Sequence, residues 1–169
     1  MSYKNENMKM IELHENGLDI RFRIRENGVV ELADFSSQEV KKAIMEPKED
    51  ICYPAVEIHR SGTGSLNMHA YKNNINQSSV DFVYENHELK EQDGGKELEI
   101  VMVSTEKLKA VYHMRLFDGV PAVQTWTEII NEGSEDQGLT YVSSFMYQGI
   151  SRGGEKPYYK KTDIYVPFN

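Results

Sequence analysis

Between residues 98 and 130 the side chains alternate in character at every second position, and that pattern restricts the chain to a sheet. Leu98, Ile100 and Met102 share one parity, and Leu108, Ala110, Tyr112, Met114 and Leu116 take it up again, with Lys109, His113 and Arg115 among the residues between. A period of two carried over about nine residues is the pattern of a long strand with one face on a core. Asp118-Gly119 follows at once, two residues able to adopt the positive φ angles of a tight hairpin turn. Val123, Thr125, Thr127 and Ile129 then form the returning strand, with Gln124, Trp126 and Glu128 facing the other way and Pro121 at its beginning, where a missing N–H is tolerated. Tyr112 and Met114 are therefore expected in the core, and His113 on the opposite face, where its loss should matter less.

The remainder of the chain repeats the theme in shorter pieces. Residues 1–7 are too polar to pack and are expected to be disordered. A first strand over residues 8–13 ends at Asn16-Gly17, and Leu18, Ile20, Phe22 and Ile24 then alternate with Asp19, Arg21, Arg23 and Arg25. The arginine row reads as a solvated sheet face. Asn27-Gly28 turns the chain into a third strand from Val30 and Leu32 toward Phe35. Ser36 with Glu39 resembles a capping box, and Val40, Ala43 and Ile44 have helical spacing as far as Pro47, which predicts one short helix. Strand character returns over residues 50–59, with Cys52, Pro54, Val56 and Ile58 alternating. The Ser61-Gly62-Thr63-Gly64-Ser65 stretch is a turn, because neither a P-loop lysine nor a following helix accompanies it. Leu66, Met68 and Ala70 suggest a strand, residues 72–79 an irregular loop, and Val80, Phe82 and Tyr84 the start of a strand leading toward a polar turn over residues 88–96 that contains Asp93-Gly94-Gly95. Leu139, Tyr141, Ser143, Phe145 and Tyr147 alternate once more, and residues 151–169 end the chain without a terminating signal. About ten short strands at turn spacings of roughly 8 to 12 residues place the chain among antiparallel sandwiches and barrels, a single domain over residues 8–169.

Composition narrows the function. A net charge of −8 argues against a phosphate-binding surface and hence against nucleic acid, leaving sugars, neutral ligands or proteins as partners. The one cysteine, Cys52, supports neither an internal disulfide nor a cysteine zinc site and fits a reducing cytoplasm. No signal-peptide core and no apolar run near the ~18 residues of a membrane span is present, so no membrane partner is expected.

Candidate chemistry is thin along the sequence. His14, His59, His69, His87 and His113 make no i, i+4 pair and have no carboxylate or cysteine at local ligand spacing, so no metal and no cofactor is expected. No nucleophile elbow is present. A glycosidase needs two carboxylates across a cleft, but Glu57, Glu99 and Glu128 read as solvent-facing partners of neighbouring Lys or Arg. Trp126, the only tryptophan, reads as packing in preference to a sugar-stacking platform.

Several segments nonetheless resemble a known family. Tyr53-Pro54-Ala55-Val56-Glu57-Ile58, residues 98–104 and 108–117, the pairing of residues 123–126 with 128–133, and Leu139-Thr140-Tyr141-Val142-Ser143-Ser144 are similar in order and spacing to the N-terminal domain of α-galactosidases of glycoside hydrolase family 36. The resemblance covers residues 20–169. It implies a β-supersandwich of the kind also seen in galactose mutarotases, followed by a catalytic (β/α)8 barrel and a small C-terminal sheet domain. It further implies that both catalytic aspartates lie on the barrel, so that no catalytic residue is expected here. In oligomeric members a loop of this domain lends an aspartate, in an Asp-aromatic-Arg-x-Pro context, to a neighbouring subunit's sugar pocket. Asp50 and Pro54 match that context, whereas Ile51 and Cys52 replace the aromatic residue and the arginine. The resemblance thus implies a homo-oligomeric, retaining α-galactosidase acting on terminal α-galactosides such as melibiose or raffinose. The alternatives are a free-standing carbohydrate-binding sandwich and a mutarotase-like epimerase using a His and a Glu as acid and base.

Overall fold

The computed structural model of the chain describes residues 9–37, 52–64, 68–69, 72–73 and 77–147. Within them, each alternating stretch with a Gly-containing turn becomes an antiparallel strand. In chain order these are β1 (Lys9–Glu15), β2 (Leu18–Ile24), β3 (Val30–Ser37), β4 (Ile58–Arg60), β5 (Met68–His69), β6 (Lys72–Asn73), the single helical turn α1 (Gln77–Val80), β7 (Val83–Gln92), β8 (Gly95–Val103), β9 (Leu108–Phe117), β10 (Val120–Asn131) and β11 (Leu139–Val142). One sheet runs β1-β2-β3 and a second β10-β9-β8-β7, while β11 pairs with β4 and β5 with β6. The fold is the expected all-β antiparallel sandwich, with one helix of four residues among the described residues. No described helix is long and apolar enough to cross a membrane.

The two larger sheets meet through the residues of one parity. Ile11 and Leu13 of β1 and Leu18, Ile20, Phe22 and Ile24 of β2 belong to one buried cluster with Leu98, Ile100 and Met102 of β8 and Ala110, Tyr112, Met114 and Leu116 of β9. Phe22 meets Tyr112 edge to face with centroids 5.7 Å apart, and burial of each large side chain contributes about 1.5–3 kcal/mol. Tyr112 and Met114 are thus core residues as expected. His113 is not the exposed residue of the sequence reading, for it is only 7% exposed.

Other expectations are corrected by pairing. The arginine row is not a solvated face. Arg23 and Arg25 converge on the buried Glu31, with Arg23 Nη2 at 2.6 Å from Oε2 and Arg25 Nη1 at 3.1 Å from Oε1. A β-bulge explains Arg21: Phe22 is opposite Leu32 but Arg21 is opposite Asp34, so Ala33 is the extra residue that swings Asp34 to the arginine side. Ser36 does not cap a helix but continues β3 and donates to Asp34 Oδ2 at 3.3 Å. The rest of that expected helix lies outside the described residues, as do Leu66, Ala70, residues 1–7 and the tail from 151 to 169. The strand expected over residues 50–59 shrinks to β4, because the chain before it is held irregularly, with the Ala55 N–H donating to the Val30 carbonyl. Strand β11 likewise ends at Val142 instead of reaching Tyr147.

Within the stretch read as a loop, Ser78 and Ser79 make a helical turn that covers β4. The Ser78 hydroxyl donates to the Ile58 carbonyl at 2.6 Å, and Ser79 Oγ accepts the Ile58 N–H at 2.8 Å. Both serines are buried. The hydrogen bonds satisfy hydroxyls that would otherwise be costly to bury.

The two sheets are also stitched at their turns. Asn16, at φ 51°, donates through Nδ2 to the Phe117 carbonyl and accepts the Gly119 N–H, locking the β1–β2 turn onto the β9–β10 turn. At the same end Gly95 has φ 155°, and a Cβ there would lie 1.9 Å from the Leu116 carbonyl oxygen. Gly94, at φ 75°, has nothing within 4 Å of such an atom. Gly95→Ala should therefore cost about 3 kcal/mol or more and Gly94→Ala about 1 kcal/mol, read from urea midpoints at constant slope. Equal losses would refute the close approach of β8 to β9 at this point.

Candidate functional site

The face of the four-stranded sheet turned away from the core carries a cluster of titratable and aromatic side chains. Register places Glu99 and Trp126 on either side of His113, and Glu97 and Gln124 on either side of Arg115. On the next strand Glu88 is opposite Glu99, and Lys90 opposite Glu97. Since strand side chains alternate, all eight stand on one face.

His113 is the centre of the group. Its Nδ1 lies 2.9 Å from Glu97 Oε1 and 3.9 Å from Glu99 Oε1, and its Nε2 lies 3.8 Å from Glu128 Oε1. The short contact makes Nδ1 the donor to Glu97. Nε2 is then buried with no hydrogen bond. Glu97 is as deeply placed, at 6% exposure. The Trp126 indole stacks on the imidazole, with centroids 4.6 Å apart and planes 4° from parallel. The lone tryptophan thus packs on the face opposite the core-facing residues, half-buried, where it fixes the plane of a histidine.

The carboxylates are held from their far sides. Gln92 Nε2 donates to Glu97 Oε2 at 2.7 Å, and Lys90 Nζ lies 2.5 Å from Glu99 Oε2. The hydrogen bond to Glu99 raises the Lys90 pKa. Both Oε1 atoms are thereby left to His113. Arg115, though opposite Glu97, sends its guanidinium to the Asp93 carbonyl and over the Phe117 ring. The arrangement offers an imidazole for proton transfer, two carboxylate oxygens and a nitrogen within 4.8 Å of one another for a cation, and an aromatic plane for stacking.

Of the residues singled out in the sequence, Glu99 does pair with Lys90 as expected, whereas the mostly buried Glu57 holds His59 Nε2 at 2.8 Å instead of a Lys or Arg. Glu128 is exposed, and its nearest cation-forming neighbour is His113. His14 is exposed on β1, where a hydrogen bond to Asp19 raises its pKa, and His87 is lowered by burial with help from Lys9. Glu97, Gln92 and Lys90 were missed, because no local spacing links them to a histidine sixteen or more residues away. The signal was available only in the register of the hairpin.

Asp50 lies outside the described residues. The chain just after it is pinned to the arginine cluster, where the Tyr53 N–H donates to Glu31 Oε1 at 2.9 Å. Beside it burial, with the Glu31 charge, pushes the Cys52 thiol up to about 12 from 9.0.

No protein-family model matches the sequence, and no curated protein matches it either. Among solved structures the chain is similar to the glycoside hydrolase family 36 α-galactosidase AgaA of Geobacillus stearothermophilus. Against a variant in complex with stachyose the TM-score is 0.51 at 12% identity, over 75% of this chain and 23% of that one. Against another variant in complex with 1-deoxygalactonojirimycin it is 0.50 at 13% identity, over the same shares. The likeness is one of fold. This chain thus spans less than a quarter of the enzyme it matches.

The Cys52 environment gives a direct check on the packing beside residue 50. A pKa raised from 9.0 to about 12 leaves roughly a thousandfold less thiolate at a given pH, so labelling by a disulfide reagent at pH 8 should be at least about a hundredfold slower than in the urea-unfolded chain. Since the proton is held more tightly in the folded state, this group's contribution to stability is complete below pH 9 and is lost as pH rises from about 9 to about 12. Labelling as fast as in urea would mean that Cys52 is not packed against Glu31 and Arg25.

Proposed function

We propose that this chain is the non-catalytic N-terminal β-sandwich domain of a cytoplasmic, homo-oligomeric α-galactosidase of glycoside hydrolase family 36, a domain that buttresses a catalytic barrel and takes part in subunit assembly. The observation that carries the reading is the shared fold over 75% of this chain against 23% of AgaA, together with the ordered sequence motifs of the family. The spacing in the His113 cluster supports it from the other side, since two carboxylates clasping one imidazole are poorly disposed to flank a glycosidic bond. On this reading the whole enzyme cleaves terminal α-galactosides of the melibiose and raffinose type with retention, using carboxylates of the barrel. Asp50 would lend its side chain to a neighbouring subunit's sugar pocket. The isolated chain should release no nitrophenol from p-nitrophenyl α-galactoside above a buffer blank, while the full-length protein should release it with retention of configuration by NMR. Turnover by the chain alone, in a preparation free of host enzyme, would overturn the assignment.

A second reading draws on Trp126, which stands half-buried between the exposed Gln124 and Glu128, an aromatic plane flanked by hydrogen-bonding groups as in sugar-binding sandwiches. Titrating the chain with galactose while following Trp126 emission and optical rotation separates the two. No spectral change and no faster mutarotation is expected from a buttressing domain. A saturable change, or an acceleration lost in Trp126→Ala, favours a free-standing binding module or an epimerase.

A further inference from the structure

We infer that Glu97, Glu99 and His113 form a binding site for one divalent transition-metal ion, Zn2+ by their donor set, on the outer face of β8 and β9. Glu97 Oε1, Glu99 Oε1 and a ring nitrogen of His113 lie within 4.8 Å of one another, with Nδ1 at 2.9 and 3.9 Å from the two oxygens. Tetrahedral zinc with bonds of about 2.0–2.2 Å separates its ligand atoms by about 3.3 Å. The two spacings from Nδ1 bracket that value and the two carboxylate oxygens lie no more than 4.8 Å apart, so side-chain movements of about 1 Å bring the three atoms to tetrahedral separations.

Three further features of this face favour a cation over a plain ion pair. Each carboxylate has its second oxygen anchored, Glu97 by Gln92 and Glu99 by Lys90, which leaves one oxygen of each to converge on the same nitrogen. Outer partners of this kind orient ligands at metal centres. The Arg115 guanidinium, though opposite Glu97, is directed to Asp93 and Phe117, so among the described residues the buried Glu97 hydrogen-bonds a neutral amide and the imidazole, with the Lys90 charge acting on it only at longer range. Finally, the His113 Nε2 atom is buried without a partner, on a side chain more than nine-tenths buried. Metal at Nδ1 resolves this. The ring proton moves to Nε2, where the exposed Glu128 carboxylate, now 3.8 Å away, can close in to accept it. That is the carboxylate–histidine–metal order found at zinc sites, and it leaves a fourth corner for water or a ligand atom. The site is independent of the galactosidase reading, because glycoside hydrolysis through two carboxylates uses no metal.

The test uses the chain without an affinity tag, stripped with EDTA and titrated with Co2+ and then Zn2+. Trp126 is the only tryptophan and lies against the ligand imidazole, so Co2+ should quench its emission saturably at one equivalent, and Zn2+ should reverse the quench by displacement. Glu99→Gln is partly exposed and should keep the fold by circular dichroism while weakening Zn2+ at least about tenfold. His113→Asn should abolish the Co2+ quench. Lys90→Met removes the anchor of Glu99 Oε2 and should weaken Zn2+ about tenfold. Failure of the unaltered chain to bind Zn2+ overturns the site, and so does stoichiometric binding that Glu99→Gln leaves unchanged, whether or not the His113 variant folds.

Discussion

The register of β8, β9 and β10 is the constraint on which the rest of this molecule depends. Strand β9 is buried at positions of both parities: Ala110, Tyr112, Met114 and Leu116 fill the sandwich, and His113 is buried on the other side beneath Trp126. A slip of one residue would turn His113, Glu97 and Glu99 into the apolar interior and expose Tyr112. Carboxylates placed there without partners cost several kcal/mol each, so two of them would offset much of the about 5–15 kcal/mol of net stability that a small domain has. Both faces therefore select the same register, which is a stronger specification than an apolar face over plain solvent gives. Gly95 adds a steric condition, since only a residue without Cβ lets β8 start so close to Leu116.

The same logic of two-sided burial operates in the smaller sheet. Arg23 and Arg25 face away from Phe22 and Ile24, yet Glu31 holds both guanidinium groups, and the Tyr53 N–H completes the set on the carboxylate. A bidentate or shared carboxylate of this kind is geometrically exacting. Removing one partner from such a buried group leaves a stranded charge, at a cost of about 3–5 kcal/mol. The segment that carries Cys52 and Tyr53 is thereby located by electrostatics beside β3 and not by strand pairing.

This explains what could and could not be read from the sequence. Strands β1, β2, β8, β9 and β10 were legible because alternation and Asn-Gly or Asp-Gly turns are local signals, written within a dozen residues, whereas β7 starts after Val80 and runs on to Gln92 through polar residues that read as a turn from residue 88. The one-turn helix at Ser78 and Ser79 was not, because its reason is the Ile58 backbone twenty residues earlier. The bulge at Ala33 hides in an ordinary run of residues and changes which side Asp34 faces. The His113 cluster was invisible for the same cause: Glu97 and Glu99 approach His113 only after the β8–β9 hairpin closes. Ligand spacing sought along the chain finds helical and knuckle sites, whereas a sheet writes its sites across strands.

A solvent-facing sheet surface usually keeps its charges wet, and β7 does so, with Asn86 and Glu88 exposed on this face. Across two strands the same surface becomes dry. Trp126 and the long side chains of Lys90, Gln92 and Arg115 wall in Glu97 and His113, so the drying comes from lateral packing. Such packing gives a sheet face two properties at once: fixed polar atoms and a reduced dielectric, in which a cation or a bound group is held more strongly than on open surface. If a domain of this fold serves only to buttress a barrel, an apolar or plainly charged face would suffice for contact. Holding one imidazole between a stacked indole and two anchored carboxylates goes beyond that need, and it makes the outer face of β8 to β10 the place among the described residues where the proposed cation would sit.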